Sequence, residues 1–270
     1  MTSAEAPLPG TPAVPSDTVR LSSGSELPLL GFGTWRLKDS GATDAVIRAL
    51  EVGYRHVDTA TIYGNEREVG AALRDSTVPR EQVFVTSKVP PDRADRARAT
   101  LEESLGLLGL DALDLWLIHW PPSTGSVDLW REVLTAKDAG LVRDVGVSNY
   151  SLAQLDELSA STGTMPSVNQ IKWSPYLFDS ALLKGHRERG VAVEGYSGLK
   201  GGTLEEPVVK RVAERLGCSP AQVLLRWQLD HGVVAIPKST DPHRIASNAD
   251  LNGCVLTPED RADLDGLSRV

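Results

Sequence analysis

The chain has no positive charge to spare. Its 28 lysines and arginines are outnumbered by 36 aspartates and glutamates, for a formal net charge of −8. Nucleic-acid binders present a basic face, so that class is excluded. A local cluster of cations for a small anion is not. Cysteine is nearly missing too. Cys218 and Cys254 stand alone with no CxxC pair; one disulfide is open to them, but two reduced thiols suit a cytosolic chain better. No run of about 18 apolar residues occurs, so no membrane-spanning helix is expected. The opening MTSAEAPLPGTPAVPSD lacks both an early basic cluster and an apolar core. It does not read as a signal peptide. Residues 1–17 are expected to be a flexible Pro/Ala-rich tail, and the location cytoplasmic. The GxGxxG dinucleotide fingerprint is also missing: Gly31-Phe32-Gly33 runs on into Thr34-Trp35-Arg36.

What is present is alternation. Val19-Arg20-Leu21 and Leu27-Pro28-Leu29-Leu30 flank Ser22-Ser23-Gly24-Ser25-Glu26, which predicts a β-hairpin. A short strand follows at 31–35. Strands are then predicted at 56–59, 83–88, 113–119, 142–147, 167–171, 191–197 and 233–238. Helices are predicted near 42–52, 65–75, 127–139, 151–160 and 178–189, with others opening at Asp241-Pro242 and Thr257-Pro258. Pro90-Pro91-Asp92 opens a further helix whose Ala94, Ala97, Leu101, Leu105 and Leu108 make an apolar stripe. Ser219-Pro220-Ala221-Gln222 is a capping box that starts a helix to about Asp230. Leu113 to His119 is a near-continuous apolar run, as in a strand covered on both faces. Eight strands separated by helices after one hairpin predict a closed (β/α)8 TIM barrel, with residues 18–270 as one domain. An open doubly wound sheet is the alternative.

Polar residues gather at the strand ends: Thr34, Asp58, Lys88, His119, Ser148, Asn149, Gln170, Ser197 and Lys238. In a closed barrel those ends converge on the face where such proteins do chemistry. Taken singly, Asp58 is more commonly an ion-pair or capping residue, Tyr63 a packed loop aromatic, and His119 a satisfied core histidine. Together they form a set. A phenol has a pKa of about 10. A neighbouring ammonium favours phenolate and lowers it, and a carboxylate keeps the ammonium charged. Asp58 and Lys88 are thus expected to tune Tyr63 as a general acid, with a neutral His119 imidazole orienting a carbonyl. The set offers no nucleophile with a matched base and no metal cluster. Lys238, Ser239, Thr240 and Arg244 bring two cations and two hydroxyls to a strand-to-helix junction, a setting suited to phosphate.

These motifs, GFGTWRL, GYRHVDTATIYGNEREVG, FVTSKV, DLWLIHWP, VGVSN, VNQI, GYS and IPKST followed by RIASN, resemble the aldo-keto reductase superfamily from about Val19 onward. Short-tailed bacterial members of the diketogluconate-reductase-like kind are the nearest in pattern. The resemblance implies a barrel whose bottom is closed by the N-terminal hairpin. It also implies extended binding of NADPH/NADP+ without a Rossmann domain, with NADH weaker, and reduction of aldehydes or ketones. By resemblance, Tyr63 is the proton donor, Asp58 and Lys88 its tuning pair, and His119 the carbonyl-orienting residue. Ser148, Asn149 and Gln170 match the carboxamide-binding residues, and Tyr196 the aromatic stacked on the nicotinamide. Ser197 and Leu199 match pyrophosphate contacts. Lys238, Ser239 and Arg244 match the 2′-phosphate pocket, with Thr240 beside them, and Asn248 matches an adenine contact. The cofactor set also takes in Thr34, Trp35 and Asp58. Trp35 and Trp120 line the substrate pocket with Tyr63 and His119.

The expected partner is a small carbonyl substrate, with no nucleic acid and no membrane, acting on a monomer. A nicotinamide-binding sensor or interaction subunit with little catalysis is the rival reading. Four departures from the family pattern stand out: Trp173-Ser174-Pro175 after the Asn-Gln pair, Gly198 in place of proline, Ser247 in place of glutamate, and an end at Val270 soon after Leu267. The last three predict, in turn, a mobile phosphate loop, a looser adenine grip and a pocket open on one side that accepts bulky or varied substrates.

Overall fold

The computed structural model describes residues 17–270, so the predicted tail lies outside the described residues except for Asp17. β1 (Thr18–Arg20) and β2 (Glu26–Pro28) form the predicted hairpin, with Val19 opposite Leu27. Eight parallel strands follow: β3 (Phe32–Gly33), β4 (His56–Asp58), β5 (Phe84–Val89), β6 (Leu113–Ile118), β7 (Val142–Ser148), β8 (Val168–Lys172), β9 (Ala192–Tyr196) and β10 (Val234–Ala235). Each pairs with its neighbour in chain order. The first and last strands meet through Ala235 N to Leu29 O (2.8 Å), Gly31 N to Ala235 O (2.8 Å) and Gly33 N to Pro237 O (3.0 Å). That seam closes the barrel, and the open-sheet alternative falls. The hairpin leads into the start of β3 and so covers the N-terminal mouth, where Leu21, Leu27 and Leu29 are buried in the main core.

The helices are α1 (Asp39–Glu51), α2 (Glu66–Asp75), α3 (Ala97–Leu108), α4 (Ser126–Asp138), α5 (Leu152–Thr162), α6 (Ser180–Glu188), α7 (Pro207–Leu216), α8 (Pro220–Asp230), α9 (Pro242–Ala249) and α10 (Pro258–Asp265). The predicted Ser219/Gln222 capping box opens α8, and the same device opens α5 at Ser151/Gln154. Among the described residues no helix is long and apolar enough to cross a membrane.

Three expectations are corrected. The helix expected from Pro90 begins as a 3-10 segment, Pro91–Arg96, with Arg93 off helical geometry, and only Ala97–Leu108 is α-helical. α7 has no counterpart in the predicted elements, although Val209, Val212 and Ala213 bury one face of it after Pro207 at its first position. The last strand is also far shorter than 233–238.

One close approach fixes how α2 packs on α3. Gly70 of α2 lies under the last turn of α3, where a Cβ would sit 2.5 Å from Leu108 O and 2.7 Å from Leu107 O. Alanine would gain about 1 kcal/mol of helix propensity, but backbone carbonyls cannot give way as a side chain can. Gly70→Ala is therefore expected to destabilise the protein by roughly 1–3 kcal/mol net, read as a lower thermal midpoint. An unchanged or raised midpoint would show that α2 slides freely off α3.

Candidate active site

Asp58 ends β4 and Lys88 lies near the end of β5, side by side at the C-terminal mouth. Both are buried. Lys88 Nζ donates to Asp58 Oδ2 at 2.6 Å and to the Thr59 carbonyl at 2.7 Å. An ammonium has three hydrogens, so one is left to face outward, where Nζ lies 5.2 Å from the centroid of the Tyr63 ring. Thr34 anchors the base of this arrangement, its amide and hydroxyl both donating to Asp58 O at 3.0 Å.

Tyr63 sits on the one-turn 3-10 helix Thr61–Tyr63, closed by Gly64 in the left-handed region. The turn is pinned from below. Thr61 Oγ1 donates to Lys88 O (2.8 Å), and Asn65 ties three segments through Thr34 O (2.9 Å), Leu37 O (3.0 Å) and Thr59 Oγ1 (2.9 Å). Glu66, buried behind the turn, accepts from Ser87 Oγ at 2.5 Å and Ser104 Oγ at 3.0 Å. His119 follows β6, continues its ladder through N to Val89 O (2.9 Å), and meets Tyr63 edge to face at 5.7 Å between centroids. Its Nδ1 is buried without a partner among the described residues.

The electrostatics confirm one expectation and reverse another. Burial, and then the positive charge of Lys88, lower the His119 pKa to about 3, so the imidazole is neutral. Burial alone would lower Lys88, but Asp58 and Tyr63 overcome it and hold the ammonium above its usual value. The expected fall of the Tyr63 pKa does not occur. Burial pushes the phenol up, Lys88 pulls against it, Asp58 and Glu194 add to the push, and the net direction is upward. Desolvation of the phenolate outweighs one ammonium whose charge is already shared with a carboxylate.

β7 to β9 supply a polar shelf beside this group. Ser148 Oγ and Asn149 N both donate to Gln170 O, at 2.8 and 2.9 Å. Asn149 Nδ2 reaches His119 O (3.3 Å), and its Oδ1 accepts from the Tyr196 hydroxyl (2.9 Å). Gln170 Nε2 donates to Asp58 Oδ2 (2.8 Å) and to Glu194 Oε1 (2.9 Å), which joins the shelf to the ion pair. Asn149 and Ser197 hold φ of 64° and 61°. Side chains rarely occupy that region, and such strain clusters at working sites.

Around the rim stand Trp35 and Trp120, 42% and 48% exposed. Trp35 is flanked by the Arg36 guanidinium at 4.2 Å and Lys200 Nζ at 4.0 Å. Burial, and then Arg36, Lys238 and Lys172, push the Lys200 pKa down. Among the described residues none of these four cations has an ion-pair partner. That excess of unpaired positive charge fits the phosphates of a dinucleotide. The expected phosphate site on α9 is altered, however. The Asp241 side chain already accepts from His243 N (2.8 Å) and Arg244 N (3.4 Å), and it lies 3.8 Å from Arg244 Nε. The helix-start amides are therefore capped from within, which leaves Lys238, Thr240 and Arg244 exposed and Ser239 and Asn248 buried beside them.

Two of the departures acquire reasons. A Cβ on Gly198 would come 2.5 Å from Gln228 Nε2 and 2.8 Å from its Oε1, so Gln228 fills the space a proline ring would take. Leu199, beside it, bridges the two apolar clusters. Trp173 is no pocket wall. It is fully buried outside the barrel, stacked on Trp227 at 6.1 Å and edge-on to Phe178. Beyond Leu267, Ser268 and Arg269 bind back onto Phe178 O and Tyr176 O. Glu194 was missed at the level of sequence. The available signal was its place two residues before Tyr196 in an apolar strand, which puts both on one face.

Comparison with known proteins agrees with this geometry. A family profile described as "Aldo/keto reductase family" matches residues 29–269. The chain is 42% identical over 258 residues to 2,5-diketo-D-gluconic acid reductase B of Corynebacterium sp., covering 93% of each. It is 40% identical over 257 residues to glyoxal reductase of Bacillus subtilis, covering 94% of this chain and 93% of that one. Among solved structures, an aldo/keto reductase from Brucella melitensis superposes with a TM-score of 0.91 at 38% identity, covering 94% of this chain and 98% of the other. A Bombyx mori aldo-keto reductase in complex with NADP gives 0.88 at 33% identity, covering 95% and 94%.

In the free protein, the Tyr63 phenol is expected to stay protonated at every pH below about 10, since its pKa is raised. The tyrosinate absorbance difference between wild type and Tyr63→Phe checks this, and a step between pH 7 and 9 would contradict it. The His119 imidazole, with its pKa lowered to about 3, is expected to show no protonation step between pH 5 and 8 by NMR.

Proposed function

The chain belongs to the aldo/keto reductase family, and on that footing we propose that it is an NADPH-dependent reductase of small aldehydes and ketones in which Tyr63 supplies the proton. It is an oxidoreductase by family, and its relatives' names, diketogluconic acid reductase and glyoxal reductase, point to small carbonyl compounds. The observation that carries the reading is the buried Lys88–Asp58 pair under the Tyr63 ring, with neutral His119 against its edge.

The nicotinamide supplies the hydride when bound. Ser148, Asn149 and Gln170 would hold its carboxamide, Tyr196 would face its ring, and Ser197, Leu199 and the Arg36, Lys172 and Lys200 side chains would take the pyrophosphate. The substrate carbonyl would lie between Trp35 and Trp120, its oxygen between Tyr63 and His119. Because the imidazole is neutral, His119 can donate a hydrogen bond to that oxygen without placing a second full cation beside Lys88. As charge develops on the oxygen, the Tyr63 hydroxyl gives up its proton. A raised phenol pKa does not impede this step, since an alkoxide is far more basic than a phenolate. It also guarantees that the acid form is present at neutral pH. The phenolate that remains is stabilised by the Lys88 ammonium, which Asp58 holds in place. Proton return from solvent completes the cycle.

NADPH is preferred over NADH in this reading because Lys238 and Arg244 flank the junction before α9. Asp241 lies within 4 Å of Arg244 and opposes part of that charge, so the burden falls on Lys238.

Tyr63→Phe is expected to retain cofactor affinity and lose roughly 100- to 10,000-fold in kcat, measured by loss of dihydronicotinamide absorbance with an aromatic aldehyde. Retained turnover would refute the acid assignment. NADPH is expected to bind more tightly than NADH in fluorescence titration. Lys238→Ala should weaken NADPH by about tenfold, one charge-assisted contact, and leave NADH unchanged. Equal dissociation constants for the two cofactors in the wild type would remove the preference.

A further inference from the structure

Glu194 has no part in the chemistry described above, yet it is fully buried in the middle of β9 and faces the catalytic pair. Its Oε1 accepts one hydrogen of the Gln170 amide at 2.9 Å, and Asp58 Oδ2 accepts the other at 2.8 Å. Its Oε2 is buried with no donor among the described residues. The groups acting on it are Asp58 of β4, Lys88 of β5, Gln170 of β8 and, through space, Tyr63. Two carboxyl groups thus share one amide and one ammonium, and the ammonium is bonded to Asp58. A second ionised carboxylate would be buried without a cation, which costs several kcal/mol. The cheaper state keeps a proton on one of the two acids. Asp58 has Lys88, so the proton belongs to Glu194.

We propose that Glu194 is a neutral carboxylic acid at pH 7 and a positioning residue for Gln170. With acceptors on both amide hydrogens, Gln170 can hold only one orientation, NH2 toward the barrel interior and Oε1 toward the site. Turned over, its carbonyl oxygen would face the ionised Asp58 oxygen, which has no hydrogen to donate. No described residue donates to Gln170 Oε1 in the observed orientation, which leaves that oxygen to accept from a carboxamide NH2. The proton on Glu194 also leaves Asp58 as the single negative charge beside Lys88. Burial and the charge of Asp58 push the Glu194 pKa well above the usual carboxylate range, in keeping with this assignment.

The cofactor half of the inference rests on the reading of Gln170 as a carboxamide contact; the protonation half does not. The first test therefore uses the free protein. The infrared difference spectrum of wild type minus Glu194→Gln at pH 7 is expected to show the carbonyl stretch of a protonated carboxylic acid, shifted in D2O. Carboxylate bands in its place overturn the proposal. This comparison needs only an isosteric variant, so it decides the matter even if bulkier replacements do not fold. The second test is NADPH titration. Gln170→Ala and Glu194→Leu are each expected to weaken binding by roughly tenfold, the worth of one buried hydrogen bond. Glu194→Gln, able to accept from Gln170 and donate to Asp58, should restore it to within about twofold. If Gln170→Ala weakens binding and Glu194→Leu does not, the positioning role is wrong and the carboxamide reading stands. If neither weakens it, both are wrong.

Discussion

A lysine ammonium and an aspartate carboxylate, both removed from water and 2.6 Å apart, set the terms for everything else at the mouth of this barrel. Neither charge can remain there alone, because the bare ion would have to be solvated by an apolar interior. Such pairs are poor stabilisers when compared with packed hydrocarbon. Their presence in a protein core calls for an account other than stability. Here the surrounding groups supply one. The other hydrogens of the ammonium are directed toward Thr59 O and the ring of Tyr63, and the bonded carboxylate oxygen also accepts from Gln170. Thr34 and Asn65 fix the backbone on which the carboxylate and the phenol ride. The site is thus one hydrogen-bonded body carried by seven consecutive strands, β3 to β9, rather than a set of separate side chains.

Much of this was legible in the chain. Parallel strands end on one face, so Asp58, Lys88, His119, Ser148 and Gln170 could be placed together from strand order alone, and the structure brings them together. The hairpin and the capping box at Ser219 were equally readable, since both rest on local chemistry. What could not be read depended on summed effects. The direction of the Tyr63 shift is a balance between burial and two opposing charges. The loss of free amides at α9 depends on which way the Asp241 side chain turns. α7 is short and follows directly on a glycine-rich loop, so the regular spacing of Val209, Val212 and Ala213 is a weak signal beside the loop's turn residues.

The departures from the family pattern show how a barrel absorbs local change. Trp173 would alter the pocket if it pointed inward. Instead it joins Trp227 and Phe178 in a second apolar cluster beneath α7 and α8. Gly198 would leave a void if its neighbours were small, but the Gln228 side chain occupies it. In both places a residue that looks functional by position answers a packing constraint set by a helix outside the barrel.

The seam between β3 and β10 has a consequence of another kind. These are the two shortest strands of the barrel, and the three hydrogen bonds that join them link residues some two hundred positions apart in sequence. Contacts that distant carry the largest loop-closure entropy and form late. The barrel is therefore a ribbon clasped at its ends by three hydrogen bonds. Thr34 and Trp35 lie on one side of that clasp, and Lys238 and Ser239 on the other. Any molecule that grips both sides acts as a stitch across the join, so occupancy of the mouth stabilises the closed cylinder by linkage.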